Sequence, residues 1–158
     1  MKLRKKIIVK NYKRVEPRHD FLKYFRVVRY WVAKNYDLTY PELEMLLFLY
    51  SETLFSDRDI KKFQRIMHWD AKRFNKLIDE DWIVLWRENT RTEKALYNLS
   101  FKGKKLMAEV YKKLNMEQEI STNPRQNKVF SKDAGYMDRG YQRMIKEMNE
   151  AVKRARME

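Results

Sequence analysis

The stretch from Leu38 to Leu114 constrains the fold most, because its helix and strand signals follow one another in a definite order. Each of three apolar segments is preceded by residues that can cap a helix. These capping residues are Thr39 with Glu42, Ser56 with Asp59, and Asp70. Two short β-branched and aromatic runs follow, Trp82 to Trp86 and Ala95 to Leu99, with a polar, turn-like segment between them. This order predicts three helices, a β-hairpin, and a further helix from Ser100 to about Met116.

One more helix is expected on each side of this stretch. Asp20 is a suitable N-cap for a first helix that ends near Lys34. Its apolar residues recur at three- and four-residue spacing: Phe21, Leu22, Phe25, Val28, Trp31 and Val32. Because this aromatic stripe is broad, we interpret it partly as a subunit interface and partly as ordinary core.

The C-terminal part of the chain reads as a break followed by a helix. Residues 117–137 are polar and contain Pro124 and Gly135, which predicts a linker or an irregular segment. The helix expected from Asp138 to Met157 has an apolar side formed by Tyr141, Met144, Ile145, Met148 and Val152. A lone amphipathic helix must bury that side, either on the first helix or on a second subunit.

These elements predict a mainly α protein with a small β-hairpin (α+β), specifically a winged helix-turn-helix with flanking helices for dimerisation. The expected organisation has four parts. Residues 1–18 form a basic N-terminal arm, and residues 19–116 form the winged helix-turn-helix domain, which includes the first helix. A linker or irregular segment follows at 117–137, and a C-terminal helix, a candidate dimerisation element, follows at 138–158. The arm is either a solvated tail or a contact to nucleic acid or a partner subunit.

The charge of the chain favours a polyanionic partner. It has 36 Lys and Arg against 22 Asp and Glu, a formal net charge of +14, and nucleic acid is the commonest partner of such proteins. The absence of cysteine excludes disulfides and cysteine zinc sites, and His19 and His68 are too far apart in sequence to suggest a metal site. No apolar run approaches the ~18 residues that a membrane span needs. We therefore expect a cytoplasmic, nucleoid-associated protein without a membrane partner.

Nothing in the sequence indicates catalysis. No glycine-rich phosphate loop is present, and the acids at 79–81 are contiguous rather than contributed by separate elements. We expect no enzyme activity, no catalytic residue, no cofactor and no metal.

The helix that follows Asp70 is the candidate recognition helix. Its polar residues are Lys72, Arg73, Asn75 and Lys76. Arginine can pair with guanine and asparagine with adenine, whereas Lys72 and Lys76 are as likely to contact phosphates. A solvated charged face is the alternative, but the position before a hairpin favours DNA contact.

The hairpin and the preceding helix supply further candidates. Arg91 is expected at the wing tip, where a cation can enter a narrow minor groove, with Arg87 and Lys94 as weaker candidates. Ser56 and Arg58 are candidate contacts to the DNA backbone, although helix capping alone explains Ser56. Trp82 and Trp86 are expected to share one strand face and to pack on the neighbouring helices.

Three motifs resemble the MarR-type winged-helix transcription regulators over Leu38 to Leu114. They are Leu38-Thr39-x-x-Glu42, the segment from Phe74 to Val84 (FNKLIDEDWIV), and Leu99-Ser100-x-x-Gly103-x-x-Leu106. Asp81 stands where the family usually has a glycine, at a position that often needs positive φ, which Asp tolerates well. The wing lacks the Asp-x-Arg signature common in the family.

The resemblance implies a function as well as a fold. It implies a homodimer held by the first helix, the helix after the hairpin and the C-terminal helix, whose two recognition helices read double-stranded DNA half-sites about one helical turn apart. It also implies repression at a promoter and a pocket for a small aromatic effector.

Two other functions stay open. One is a non-catalytic winged-helix module in a phage or nucleoprotein assembly, with non-specific nucleic-acid or protein binding. The other, RNA binding, is less favoured because no stacking-aromatic sheet motif is present.

Overall fold

The computed structural model describes residues 13, 15, 17, 19–67 and 69–158. The regular elements of this part are α1 (Phe21–Tyr36), α2 (Tyr40–Glu52), α3 (Asp57–Gln64), α4 (Ala71–Asp79), β1 (Ile83–Arg87), β2 (Leu96–Leu99), α5 (Phe101–Leu114), a short 3₁₀ helix (Lys128–Phe130) and α6 (Tyr136–Met157). The coarse prediction, a mainly helical protein with a small antiparallel hairpin, is confirmed. The predicted arm at 1–18 lies mostly outside the described residues, and so does His68.

Side-chain caps start four helices close to the predicted positions. The Asp20 and Asp70 carboxylates each accept a hydrogen bond from the backbone N–H three residues later, at 3.2 and 2.7 Å. Thr39 and Glu42 form the predicted capping box, with donor–acceptor distances of 3.4 and 3.2 Å. The Ser100 hydroxyl caps α5 at 3.0 Å. These local bonds fix where the elements begin, because they satisfy N–H groups that lack partners within the helix.

Helix α2, which is apolar nearly all round, lies at the centre of the core. Leu43, Met45, Leu46 and Leu49 are buried, and the helix contacts α1, α5 and β2. Phe55, shortly after α2, is also buried and forms an isolated β-bridge with β2. The hairpin is thereby held against the helical core.

The two strands pair antiparallel with one irregularity near the loop. From Leu85 to Arg87 the pairing moves by two residues along β1 but by only one along β2, so Trp86 is the extra residue of a β-bulge. A bulge breaks the alternation of sides along the strand, and Trp86 is 58% exposed whereas Trp82 is 3% exposed. The prediction that both tryptophans pack on the helices is therefore wrong for Trp86.

The junction between α4 and β1 uses a left-handed residue followed by a close backbone approach. Asp81 has φ 63°, which confirms the positive φ expected there. The carbonyl oxygen of the next residue, Trp82, accepts a hydrogen bond from the Ser100 N–H at 2.9 Å. A Cβ on Gly103 would lie 2.8 Å from that oxygen. Glycine is therefore required at this point, where α5 passes the start of the hairpin.

Residues 117–135 contain no α-helix or strand, yet side-chain amides fix them to the core, and residues 136 and 137 belong to α6, which begins two residues earlier than predicted. The Asn149 side chain donates to the carbonyl of Ile120 and accepts from its N–H, both at 2.8 Å. Asn127 is buried, and its Oδ1 accepts from the Asn35 side chain at 2.9 Å. Ile120 and Val129 join the hydrophobic core. Of the two predicted descriptions, a linker or an irregular segment, the packed structure fits the second.

The apolar side of α6 packs against α1 of the same chain. Ile145, Met148 and Val152 are fully buried. The rings of Tyr30 and Tyr141 stack with centroids 3.8 Å apart. Of the two partners expected for α6, the one found is α1, so the apolar side of α6 is covered without a second subunit.

A buried carboxylate fixes the start of α6 to α1. Asp138 accepts hydrogen bonds from the Tyr30 hydroxyl, the Gly135 N–H and the Lys34 ammonium. Burial alone would raise the pKa of Asp138, but the bonds from Tyr30, Gly135 and Lys34 outweigh burial and lower it. Burial and the bond to Asp138 raise the pKa of Tyr30.

The N-terminal end of α1, in contrast, has exposed apolar side chains. Phe21 and Leu22 are 59% and 84% exposed. The broad apolar stripe of α1 is therefore core along most of its length and uncovered at its first turn.

Candidate nucleic-acid interface

The predicted DNA-contact residues of α4 lie on two different sides of the helix. At about 100° per residue, Arg73 and Asn75 lie on nearly opposite sides of the axis, whereas Lys72 and Asn75 are neighbours three residues apart. Lys72 and Asn75 are exposed, and Arg73 is half-buried. The structure thus brings Lys72 and Asn75 together and separates Arg73 from Asn75. A single DNA groove facing α4 cannot meet all four predicted residues equally.

Lys76 is engaged in an ion pair that the sequence prediction did not include. Its ammonium lies 2.9 Å from the buried carboxylate of Glu42 and 3.8 Å from Glu80. The hydrogen bond to Glu42 is the main reason why the pKa of Lys76 is raised. Lys76 therefore joins α4 to the start of α2. Its contact with DNA stays a prediction.

Arg87 also has a structural partner. Its guanidinium donates to the Lys94 carbonyl at 3.0 Å and lies 3.3 Å from the Glu93 carboxylate. Both contacts run across the base of the hairpin loop. Arg87 thus closes the loop, and the exposed cations of the loop are Arg91 and Lys94.

The loop itself has an ordered turn. The Thr90 N–H donates to the Glu93 carbonyl at 2.8 Å, and the Glu93 N–H donates to the Thr90 hydroxyl at 3.0 Å. Arg91 lies inside this turn, so its backbone position is fixed while its side chain is exposed. This is a suitable arrangement for presenting a cation to a ligand surface.

A polar groove of about 640 Å³ separates α3 from the hairpin loop. Four cations line it, two from each side: Arg58, Lys61, Arg91 and Lys94. Asp57 and Glu93 also line it, but Glu93 is already paired with Arg87. The groove therefore has an excess of positive charge and suits a phosphate-bearing ligand.

A second groove, of about 340 Å³, continues from the first toward α4. Both include Asp57, Lys61 and Tyr97, and the second also includes Asn75 of α4. Asn75, α3 and the hairpin loop therefore border one continuous surface. Lys61, at its centre, was missed by the sequence analysis. The signal available was its spacing of three residues from Arg58, which places both on one helix face.

Ser56 has a structural partner at the start of α3, and its contact with the DNA backbone stays a prediction. Its N–H and its hydroxyl lie 2.9 and 3.2 Å from the Asp59 carboxylate. Both groups are thus used at the start of α3. Arg58 is exposed and lines the groove, as a backbone contact would require.

A separate, more apolar cavity of about 420 Å³ lies between α1, α2 and α4. Tyr30 and Lys34 from α1, Tyr40 from α2 and Lys76 from α4 line it. Two phenol rings, two ammonium groups and Asp37 line this space. Lys34 and Lys76 are paired with Asp138 and Glu42, so a small aromatic anion would compete with these carboxylates for the ammonium groups.

Some classes of site are not found in the described ranges. None of the helices there is both long and apolar enough to span a membrane. The described His, Asp and Glu residues form no group of three or more that could hold a metal ion.

Comparison with models of protein families, with curated proteins and with solved structures gave no match. The interpretation of the two grooves therefore depends on their own residues.

Proposed function

We propose that this protein is a winged helix-turn-helix protein of the MarR-like type that binds double-stranded DNA. In this proposal α4 is the recognition helix and the β1–β2 hairpin is the wing. The protein acts in the cytoplasm, at the nucleoid, as a transcription regulator that represses by occupying a promoter. The supporting observation is the continuous surface on which Asn75, Arg58, Lys61, Arg91 and Lys94 come together.

The roles of the residues follow from their positions. Asn75 pairs with a base edge, since an asparagine amide can make two hydrogen bonds to adenine. Lys72, Lys61 and Arg58 contact phosphates, which position the protein without reading sequence. Arg91 enters the minor groove from the loop.

A randomised duplex pool, selected at two salt concentrations and sequenced, tests the proposal directly. An enriched motif is the expected result, and a palindromic motif would indicate two half-sites read by a dimer. Asn75→Ala should cost about 1–3 kcal/mol on the selected site and relax the preference at one base position. Retention of duplex without any motif would contradict sequence-specific regulation.

Arg73→Ala is the matched comparison on the same helix. If Arg73 pairs with guanine it should cost about 1–3 kcal/mol on the selected site only. Because Arg73 lies on the side of α4 away from Asn75, we expect a smaller loss that is similar on all sequences. Equal, site-selective losses for both variants would contradict the assignment of the Asn75 side as the DNA-facing side.

A non-catalytic module for non-specific nucleic-acid binding in a phage or nucleoprotein assembly is the second candidate. It is favoured by the small number of base-reading groups exposed on α4, since Arg73 is half-buried and Asn75 is exposed. In that case binding would be salt-sensitive on every duplex, and Asn75→Ala would have no effect on sequence preference.

Homodimerisation is part of the leading proposal. The exposed Phe21 and Leu22 are the residues that would be covered by a second copy. Light scattering coupled to size exclusion should give a molar mass of twice the 19.6 kDa of the chain. Replacing Phe21 and Leu22 by Gln should reduce the measured mass to that of one chain. A wild-type mass of 19.6 kDa at micromolar concentration would contradict the dimer.

The cavity lined by Tyr30, Lys34, Tyr40 and Lys76 is the proposed site of the small aromatic effector. Benzoate is a suitable probe because its carboxylate can meet Lys34 and Lys76 while its ring contacts the two phenols. Titration should raise Tm, and Lys34→Gln should weaken the effect. An unchanged Tm at millimolar benzoate would reject this site.

A further inference from the structure

Helix α6 has a strongly basic outer face that the proposed function does not use. Five cations and one acid fall on an arc of about 100° around the helix; they are Arg139, Arg143, Lys146, Lys153, Arg154 and Glu150, and all are exposed. We call this set the α6 stripe. From Arg139 to Arg154 it extends about 22 Å, at 1.5 Å per residue.

The apolar side of the same helix is already covered. Ile145, Met148 and Val152, buried against the rest of the chain, lie opposite the stripe. The helix therefore cannot insert an apolar face into a lipid surface. A ligand of the stripe must be recognised by charge.

Few carboxylates neutralise the stripe. Lys153 lies 3.6 Å from Glu150 and 3.8 Å from Glu119. In the described part of the chain, Arg139, Arg143 and Lys146 form no ion pair. With five cations and one acid, the stripe therefore keeps a net positive charge, which favours an anionic ligand.

The stripe is separate from the grooves near α4. Helix α6 packs mainly on α1 and the 3₁₀ helix. At its C-terminal end Arg154 and His19 border the same surface depression. None of the residues that line the grooves between α3, α4 and the hairpin loop belongs to α6.

We infer that the α6 stripe is a second nucleic-acid-binding surface, which binds the sugar-phosphate backbone of double-stranded DNA without regard to sequence. Duplex DNA has one negative charge per about 1.7 Å of its axis, so cations spaced every turn along 22 Å can each meet a phosphate. The inference does not depend on base reading by α4.

The test is the salt dependence of duplex affinity, measured by fluorescence anisotropy with the full chain. The stripe variant combines Arg139→Gln, Arg143→Gln and Lys146→Gln. The charge-matched control combines Lys105→Gln, Lys112→Gln and Lys132→Gln, three exposed residues outside the stripe. Three lost phosphate contacts should reduce the slope of log K against log salt by about 2.7. Raising the salt from 50 to 200 mM should then weaken duplex binding by the stripe variant about 40-fold less than it weakens binding by the wild type.

The control should change the slope by less than about 1. Equal slopes for the stripe variant and the control would overturn the inference. If the wild-type chain binds duplex with no motif and the stripe variant still lowers the slope, the inference stands while sequence-specific regulation fails. A wild-type chain that binds no duplex at low salt would overturn both. Should the triple variant lose helix content by circular dichroism, Arg143→Gln alone should lower the slope by about 0.9.

Discussion

Gly103 gives the sharpest test of how the hairpin is fixed to the core. In an ordinary helix, replacing glycine by alanine stabilises by about 0.8–1.0 kcal/mol. At Gly103 the added Cβ would lie 2.8 Å from the Trp82 carbonyl oxygen. That oxygen cannot move away freely, because it accepts the Ser100 N–H at 2.9 Å.

The expected magnitude combines three effects. Overpacking costs about 1–3 kcal/mol and a weakened backbone hydrogen bond about 0.5–1.5 kcal/mol. The helix preference of alanine offsets about 1 kcal/mol of this. Gly103→Ala should therefore lower the free energy of unfolding by about 2 kcal/mol and lower Tm by about 4–8 °C.

Gly140 is the matched control. It lies within α6, and nothing comes within 4 Å of the Cβ position. Gly140→Ala should therefore raise Tm by about 1–4 °C, since only the helix preference acts. Both variants can be measured by calorimetry or thermal circular dichroism. A Tm for Gly103→Ala equal to or above that of the wild type would refute the close approach of α5 to the hairpin.

Three further predictions concern single side chains. Trp86 is 58% exposed while the other tryptophans are 6% exposed or less, so Trp86→Phe should remove most acrylamide quenching of the fluorescence; unchanged quenching would argue against the bulge. The lowered pKa of Asp138 means that its ionised form stabilises the fold above its usual value of 3.8, a contribution lost as pH falls through the folded pKa. Asp138→Asn should thus flatten the acid side of the stability profile, and an unaltered profile would contradict this. Asn149→Ala should lower the free energy of unfolding by about 2–4 kcal/mol, because it leaves both backbone groups of Ile120 unpaired. The control Asn115→Ala, at an exposed position, should lower it by less than about 1 kcal/mol. Similar denaturant midpoints for the two variants would contradict the bonds to Ile120.

The elements that the sequence predicted well have local signals. Asp20, Thr39 and Asp70 each cap a helix within one turn of their own position, so the information lies in neighbouring residues. The positive φ at Asp81 is equally local, because side-chain size decides which residues tolerate it. The grooves were only partly predictable. Arg58, Arg91 and Lys94 are exposed as expected, but their meeting with Lys61 depends on how α3 packs beside the loop.

The missed features depend on contacts distant in sequence. Whether the Trp86 side chain is buried or exposed depends on a one-residue shift in the pairing of β1 with β2. The alternation of apolar and polar residues along β1 does not show this shift. The pairing of Lys76 with Glu42 joins residues 34 positions apart. The bonds from Asn149 to Ile120 bring a polar residue into the core, where composition would predict exposure.

The packing of α6 on α1 has a consequence for the order of events during synthesis. Helix α1 leaves the ribosome before α6, yet the side of α1 that includes Tyr30 is covered by α6, which is made more than 100 residues later. Contacts of such separation form only after a large loop has closed. Until then α1 presents an apolar surface, and a chain stalled before residue 136 would be a substrate for chaperones and proteases. The nascent protein should therefore acquire protease resistance only after α6 has left the ribosome.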